Sequence, residues 1–301
     1  MLHQPSTDHS VVCFGEVLWD LFPSGPVAGG APMNVAIRLA SLGIRSSVIS
    51  AVGADTKGNE LLSLLRSRSV DTSLIGVTQD LPTGSVVVTI ASNGSPSFEI
   101  VSPSAWDAID ADERSLRAVR SADALVFGSL ACRSARSRDT LLRLLNEAQF
   151  TVFDVNLRPP FVDRSLIDEL LRRSDLIKMN DEELRVLCSD SGSSGEREMM
   201  EWCAEQSGAE TVCITRGERG AIVLHQGKWA EHPGFTVAVA DTVGAGDSFL
   251  AGFLDGMFRE LSLQETLTRA CAIGALVASR PGAIPEIGHN DIEQIIGTEL
   301  R

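Results

Sequence analysis

Short runs of apolar residues alternate with amphipathic segments along most of the chain. The apolar runs predict buried strands at residues 11–15, 46–53, 124–130, 151–156, 176–180, 211–217 and 221–225. Segments with helical spacing of apolar residues lie between them, at 33–43, 59–68, 137–148 and 165–174. This alternation indicates an α/β fold, in which a largely parallel sheet is covered on both faces. Ligands of such a sheet bind beyond the carboxyl ends of its strands.

One region departs from the alternation. Residues 83–101 predict two strands around Asn93-Gly94, a dipeptide that favours a tight hairpin turn. Since no helical segment separates them, we expect a small β-sheet that projects from the main one and is joined by the segment between Leu18 and Gly29. Residues 189–196 predict a surface loop.

Composition and charge narrow the function classes. Of 301 residues, 44% are apolar and 22% charged, which is ordinary for a globular enzyme. The chain carries 40 acidic and 26 basic residues, a formal net charge of −14. Nucleic acids and anionic membranes require basic surfaces, so neither is an expected partner.

The remaining composition argues against metal centres and targeting signals. The five histidines form no HxH or HExxH pattern, and the six cysteines form no CxxC pair, so we expect reduced, structural thiols. The first ten residues lack the features of a signal peptide, and no apolar run approaches the length of a membrane span. These features favour a cytoplasmic protein.

A glycine-rich turn in the C-terminal third predicts an anion site. Residues 244–246 read Gly-Ala-Gly, and apolar residues at helical spacing follow from Phe249 onward, so we expect a buried helix to begin close to Gly246. Such a turn directs free N–H groups and the helix dipole toward one point. Asp247 places a carboxylate beside that point. On these residues alone, a tight turn that merely requires glycine remains an alternative.

The longer string DTVGAGD, residues 241–247, resembles the C-terminal signature of the ribokinase-like (PfkB) carbohydrate kinases. Other segments resemble that family's motifs in the same order: GEVLWD (15–20), GGAPMN (29–34), DVNLRP (154–159), NDEE (180–183) and TRGERG (215–220). GEVLWD and DVNLRP favour the fructokinase-like branch. The resemblance implies a ribokinase-like three-layer sandwich, a single kinase domain over residues 1–301, and a β-sheet lid formed by roughly 18–29 and 83–107.

The resemblance also implies roles for individual residues. Asp247 is the expected general base, with a helix N-cap as the structural alternative, and the N–H groups of Gly244, Ala245 and Gly246 form the expected anion hole. Sugar hydroxyls are expected to bind Asp20 and Asn34, with Gly30 allowing close approach of the backbone. Arg158 is placed near the phosphates or a substrate oxygen, or alternatively in a surface ion pair. Trp106 either caps the sugar or packs at the base of the lid, and packing is favoured.

The nucleotide and metal positions follow from the same comparison. The expected nucleotide-binding residues are Asn180, Thr215, Gly217, Gly220 and Cys271. Cys271 stands where many relatives carry an asparagine near adenine, which makes nucleotide preference uncertain in this chain. Arg216 and Arg219 either supply positive charge to the triphosphate or lie in solvent.

Asn180 and Glu183 are expected to organise Mg²⁺ through water, with ordinary helix capping as the alternative. Asp241, Val243 and Gly282 fall in the stretch that resembles the family's K⁺ loop. Together these positions imply that the nucleotide is bound with a divalent ion, and that a monovalent cation is possible.

The sequence therefore predicts an ATP-dependent sugar kinase with D-fructose as the leading substrate. Ribose, 2-keto-3-deoxygluconate and nucleosides remain alternatives within the family, and a catalytically silent sugar- or nucleotide-binding protein is the alternative from another class. A dehydrogenase is disfavoured because no GxGxxG follows the first strand. A homodimer that forms through the lid is a further expectation.

Overall fold

The computed structural model describes residues 9–90 and 96–299. In chain order the strands are β1 (Ser10–Phe14), β2 (Leu18–Phe22), β3 (Gly25–Gly29), β4 (Arg45–Gly53), β5 (Ile75–Thr78), β6 (Gly84–Ile90), β7 (Pro96–Ile100), β8 (Ala124–Gly128), β9 (Thr151–Asp154), β10 (Leu176–Asn180), β11 (Thr211–Thr215), β12 (Ala221–His225) and β13 (Lys228–His232). The α-helices are α1 (Ala31–Ser41), α2 (Thr56–Ser67), α3 (Glu113–Ser121), α4 (Ala135–Leu145), α5 (Arg164–Arg172), α6 (Asp181–Leu187), α7 (Glu196–Ser207), α8 (Ala245–Phe258), α9 (Leu263–Ala278) and α10 (His289–Glu299).

The large sheet has the order β13-β12-β11-β10-β9-β8-β1-β4-β5. Every neighbouring pair from β5 to β11 is parallel, whereas β12 pairs with β11 and with β13 in antiparallel fashion. The strand order changes direction at β1, which lies between β4 and β8. In parallel sheets, ligands bind at the carboxyl ends beside such a change of direction.

Neighbouring residues of each strand face opposite sides of this sheet and enter different cores. Phe127 and Phe153 stack at 5.0 Å in the core that packs against α4, α5 and α7. Val126 and Val152 belong to the other core, which is formed with α1, α2, α8 and α9. The predicted three-layer α/β sandwich is therefore confirmed.

The small sheet has the order β3-β2-β6-β7. Its central strands β2 and β6 are parallel, and an antiparallel partner flanks each of them. This confirms the predicted excursion and its two strands in residues 83–101, although the Asn93-Gly94 turn lies outside the described residues. Leu18, Val86 and Val88 form a small core of their own beneath it.

Several predicted boundaries change in the structure. Helix α1 begins at Ala31, before the predicted start at residue 33, because Pro32 fits the first turn of a helix. Strands β8, β9 and β11 end at Gly128, Asp154 and Thr215, earlier than predicted. The segment predicted as a loop over 189–196 includes a 3₁₀ turn (Ser189–Ser191) and ends at the first residue of α7. In the described part of the chain, no helix combines the length and the apolar character needed to cross a membrane.

Candidate active site

The candidate site lies where the carboxyl ends of β1, β9 and β10 meet the start of α8. Helix α8 begins at Ala245, which confirms the predicted position of the helix. Its N-cap, Gly244, has φ 75°, and a Cβ there would overlap the backbone of Ala283, so the turn requires glycine. Among the described residues no side chain caps this helix, which leaves its first turn open to a ligand.

The predicted anion hole needs one correction. The N–H group of Ala245 donates to the Thr242 carbonyl at 3.2 Å, because the turn closes on itself before the helix starts. The Ala245 amide therefore already has a hydrogen-bond acceptor within the turn. In the part of the chain that the structure describes, the amides of Gly244, Gly246 and Asp247 have no backbone acceptor. The N–H groups of Gly246 and Asp247 lie in the first helical turn, where the helix dipole favours an anion.

Asp247 is half-buried and is held from α1. The Asn34 side-chain amide donates to Asp247 Oδ2 at 2.8 Å, so the structure brings two of the predicted residues together. Burial and then the nearby Asp154 raise the pKa of Asp247 to about 6, against the lowering effects of Lys178, Asn34 and Arg158. At neutral pH the carboxylate is ionised and able to accept a proton.

The residues around Asp247 include a buried ion pair that the sequence reasoning missed. Lys178 Nζ, from β10, lies 2.9 Å from Asp154 Oδ1 at the end of β9. The Lys178 ammonium also lies against Gly246, since a Cβ on that glycine would be 3.1 Å from Nζ. A lysine in the otherwise apolar run LIKMN was the available signal, because charged side chains are rarely buried without a partner.

The expected sugar-binding residues lie on the side of the small sheet. Asp20, in β2, is half-buried, and burial raises its pKa to about 6 against the lowering effect of Arg158. Gly29 of β3 lies directly against the Asp20 carboxylate, where a Cβ would overlap it. Gly30 has φ 114°, and a Cβ there would overlap the Glu16 carbonyl. The glycine pair is therefore required for this close packing of β3 on the chain after β1.

Glu16 is a second residue that the sequence reasoning passed over, although it lies in the GEVLWD motif. Its side chain is buried just after β1, and burial raises its pKa to about 7. Glu16 Oε2 and Asn34 Oδ1 are buried acceptors without a hydrogen-bond partner among the described residues. Arg158 is exposed, and its charge acts on Glu16, Asp20 and Asp247. These acceptors suit a ligand rich in hydroxyl groups.

The predicted nucleotide loop follows β11. Thr215 ends that strand, and Gly217 and Gly220 have φ 57° and 75°, so both use backbone conformations that favour glycine. Cys271 is buried in α9, beside Cys213 of β11.

Both arginines of this loop form ion pairs, and Arg219 also lies in solvent, with its side chain 58% exposed. Arg216 donates a hydrogen bond to Glu231 at 2.8 Å and lies within ion-pair distance of Glu196 at 3.3 Å, with its side chain 10% exposed. Arg219 bonds Asp181 at 2.7 Å. The acidic partners come from α6, α7 and β13, and they neutralise the charges of the two arginines.

Asn180 and Glu183 form a capping box at the start of α6, which was the structural alternative. Asn180 Oδ1 accepts the amides of Glu182 and Glu183, and Glu183 Oε2 accepts the Asn180 amide. Glu183 Oε1 accepts the Leu157 amide. Burial raises the pKa of Glu183. Over residues 9–90 and 96–299, no group of three or more His, Cys, Asp or Glu side chains is arranged to hold a metal ion.

Asp241, Val243 and Gly282 are brought together beside the glycine turn. Asp241 Oδ1 accepts the Val243 amide at 3.0 Å, and Oδ2 accepts the Gly282 amide at 3.1 Å.

Trp106 is fully buried in the core, with the Arg133 guanidinium 3.7 Å above its ring. It therefore packs, as favoured.

Comparisons with known proteins show what this chain is similar to. A model of the pfkB family carbohydrate kinases matches residues 25–288. Probable fructokinase-3 of Arabidopsis thaliana is 31% identical over 95% of this chain and 90% of that protein. A solved fructokinase with bound ATP from Xylella fastidiosa, 24% identical, superposes with a TM-score of 0.87 over 97% of this chain and 99% of its own. A fructokinase from Vibrio cholerae O395 in a fructose-, ADP- and calcium-bound form, also 24% identical, gives 0.82 over 97% of this chain and 100% of its own. These structural similarities show the fold.

Proposed function

From the premise that this chain belongs to the pfkB family of carbohydrate kinases, we propose that it transfers the γ-phosphoryl group of ATP to a hydroxyl group of D-fructose. Fructose is chosen because fructokinases are among the similar proteins. The observation that carries the proposal is the contact of Asp247 with Asn34 at the uncapped start of α8. This contact places a proton acceptor, Asp247, and a polar side chain, Asn34, beside the anion-binding turn.

The reaction is an in-line displacement in which Asp247 accepts the proton. The sugar hydroxyl oxygen bonds to the γ-phosphorus, the bond from that phosphorus to ADP breaks, and the hydroxyl proton passes to Asp247. Because Asn34 occupies Oδ2, Oδ1 is the oxygen that remains for the hydroxyl. Positioned acid–base groups of this kind contribute about 10²–10⁴-fold in rate. In a loose transition state the proton leaves late, so an ordinary carboxylate suffices.

The amides of Gly246 and Asp247 stabilise the charge on the transferred phosphoryl group. They belong to the first turn of a 14-residue helix, whose dipole adds to their effect. Gly244 supports them by shaping the turn, while the Ala245 amide holds the turn closed. Arg158 supplies a positive charge at the edge of the site.

The sugar binds between Asp20 and Asn34, where Gly30 leaves the backbone accessible. The small sheet, with residues 18–29 and 83–107 as its approximate limits, acts as a lid that excludes water during transfer. Phe98 of this sheet is 57% exposed, and a second copy of the chain is the proposed cover for it.

Thr215, Gly217, Gly220 and, beneath them, Cys271 form the proposed wall for ATP. Glu183 fits Mg²⁺ through water, because each of its carboxylate oxygens accepts one backbone amide and retains a lone pair for a metal-bound water. Asn180 Oδ1 already accepts two backbone amides, so Asn180 would serve this site by holding Glu183 in place. When bound, Mg²⁺ would offset the charge of the triphosphate.

Asp241, Val243 and Gly282 are proposed as the frame of a K⁺ site, because Asp241 fixes both backbone segments. Turnover in KCl is expected to exceed turnover in choline chloride at equal ionic strength. Asp241→Ala should remove the difference, since the Gly282 amide then loses its acceptor. An equal KCl response in the variant and the wild type would rule out this frame.

A substrate panel tests the proposed function. ADP release is measured with MgATP and fructose, ribose, 2-keto-3-deoxygluconate or a nucleoside, with Asp247→Asn as the control. Fructose should give the highest kcat/KM. A higher value for another sugar would reassign the substrate, and ADP release that no sugar stimulates would overturn the kinase proposal. Calorimetry that then shows tight sugar binding would favour a silent binding protein.

A further inference from the structure

Lys178 and Asp154 form a buried ion pair. A contribution to the stability of the fold does not by itself explain why this pair is buried. Their side chains are 9% and 5% exposed, and Nζ and Oδ1 are 2.9 Å apart. Withdrawing two charges from water costs several kcal/mol for each ion, so a pair of apolar side chains would fill this space at lower cost. Asp154 Oδ2 is buried and has no hydrogen-bond partner in the described chain. The pair is thus only half-satisfied by the protein itself.

The position of the pair connects it with the reacting groups. Lys178 lies in β10, the strand beneath the first turn of α8. The ammonium is so close to Gly246 that a Cβ on this residue would be 3.1 Å from Nζ. A Cβ at 246 would therefore crowd the lysine as well as an approaching phosphoryl group. The next residue in the chain is Asp247.

One ammonium is shared between two carboxylates at this point. Lys178 interacts electrostatically with both Asp154 and Asp247, and also with Glu183. The other groups that face Asp247 are Asn34 from α1, Arg158 from the segment after β9, and Glu16 from the segment after β1. Lys178 is the buried cation of this set, whereas Arg158 is exposed to solvent.

We propose that Lys178 is a positioning residue for the phosphoryl transfer: fixed by Asp154 against Gly246, its ammonium keeps the Asp247 carboxylate ionised and facing the acceptor hydroxyl. This inference rests on the proposed function, because it assigns Asp247 the role of proton acceptor. It adds that the two members of the ion pair have opposite effects on that acceptor. Lys178 favours the ionised form, and Asp154 opposes it.

The electrostatics of the site agree with the geometry. Of the groups that lower the pKa of Asp247, Lys178 has the largest effect, and Asp154 is the charged neighbour that raises it most. Burial disfavours the charge on Lys178, but Asp154 and Asp247 more than offset this, and the pKa of Lys178 is raised. The ammonium is therefore charged throughout the pH range in which Asp247 titrates.

The test compares Lys178→Met, Lys178→Arg, Asp154→Asn and the double variant Lys178→Met/Asp154→Asn. The carboxyl carbon of Asp247 is followed by NMR across pH in protein labelled with ¹³C-aspartate and assigned with Asp247→Asn. The acid limb of kcat/KM for the sugar is recorded alongside. Arg120→Met, which removes an exposed cation paired with Glu147, is the matched control and should leave both readouts unchanged.

Lys178→Met should raise the titration midpoint of Asp247 by roughly one pH unit, the size expected for the loss of a neighbouring opposite charge. Asp154→Asn should lower the midpoint, and Lys178→Arg should restore it toward the wild type. The double variant should fall between the two single variants. In each case the acid limb of kcat/KM should move in the same direction as the midpoint.

A purely structural role predicts a different pattern, with loss of folded protein and no displacement of the midpoint in what remains folded. Midpoints that stay fixed, or that move the same way in Lys178→Met and Asp154→Asn, overturn the inference. If Lys178→Met does not fold, Asp154→Asn and Lys178→Arg decide by the same criterion. Because the NMR titration requires no turnover, it tests the ion pair even if no sugar is phosphorylated, an outcome that would refute the proposed function instead.

Discussion

Replacing Asp247 with asparagine should lower the activity of the protein and raise its stability. The variant keeps the shape of the side chain, and its Oδ1 can still accept the bond from Asn34 that Asp247 accepts at 2.8 Å. It removes the proton acceptor, so kcat is expected to fall about 10²–10⁴-fold. KM for the sugar should change little, because the carboxamide nitrogen then takes the place of the second oxygen and can donate a hydrogen bond to the oxygen of the hydroxyl group.

The gain in stability follows from the pKa of Asp247. Its value in the fold is about 6, against 3.8 for an unperturbed aspartate. Between these two pH values the folded protein binds more protons than the unfolded chain, so the charged carboxyl increasingly destabilises the fold as pH rises from 3.8 to 6. Above pH 6 the penalty is constant at about 1–3 kcal/mol. Asp247→Asn should therefore raise the free energy of unfolding by this amount at pH 8 and by little at pH 4.

Urea unfolding at the two pH values measures the stability, and ADP release with MgATP and fructose measures the activity. Asp139→Asn is the matched control, since Asp139 is an exposed aspartate of α4. It should change neither quantity. The same preparation of each variant is used for both assays, so that a loss of activity cannot be assigned to a loss of folded protein.

Two results would refute this reasoning. Turnover of Asp247→Asn within tenfold of the wild type would remove Asp247 from the role of proton acceptor. A free energy of unfolding that is lower than that of the wild type at pH 8 would mean that the carboxylate stabilises the fold, which contradicts the raised pKa.

Three further predictions concern the pH profile of the wild type, the proposed sugar-binding residue Asp20 and the proposed nucleotide loop. The kcat/KM of the wild type for its sugar should be constant above about pH 6 and decrease below it, as Asp247 becomes protonated; a profile that stays flat to pH 5 would contradict this. Asp20→Asn should raise KM for the sugar about 10–100-fold, the cost of a bond to a charged acceptor, and leave KM for ATP unchanged; an equal rise in both would argue for general misfolding. Gly220→Ala should lower Tm and raise KM for ATP, because its Cβ would overlap the His232 carbonyl. Gly227→Ala is the control, since it has the same sign of φ in open space and should lower Tm less without affecting ATP.

Much of the fold was accessible from the pattern of apolar residues. Continuous apolar runs with a helical segment between them describe a buried parallel strand well, and neighbouring residues such as Val126 and Phe127 do face different cores. The ends of the strands were harder to predict from the sequence. The run 151–156 extends past the last strand residue, Asp154, because Val155 is also buried and its amide still donates to the Lys178 carbonyl. Hydrophobicity records burial, which continues past the end of the strand.

The sequence predicted the site residues that belong to a motif. It missed the residues and bonds that depend on contacts between distant parts of the chain. Asp247 and Asn34 were both identified, but not their bond, since they are far apart in the sequence. A lysine in a buried strand signals a buried charge, but its partner, Asp154 of the neighbouring strand, is identified only by the structure. For Arg216 the alternative of a side chain in solvent was wrong for the same reason: its partners come from α7 and β13, which no local pattern around the loop reveals.

The acidic character of the acceptor site has a consequence for the end of the catalytic cycle. In the proposed site, Glu16, Asp20 and Asp247 would surround a sugar that enters without charge, and Arg158 and Lys178 are the neighbouring cations that moderate their field. A phosphate monoester carries about −1.5 to −2 charges at pH 7, so the product meets a repulsion that the substrate did not. We expect the phosphorylated sugar to bind more weakly than the free sugar, and most clearly so at low ionic strength. The same carboxylates that admit the sugar would thereby favour product release.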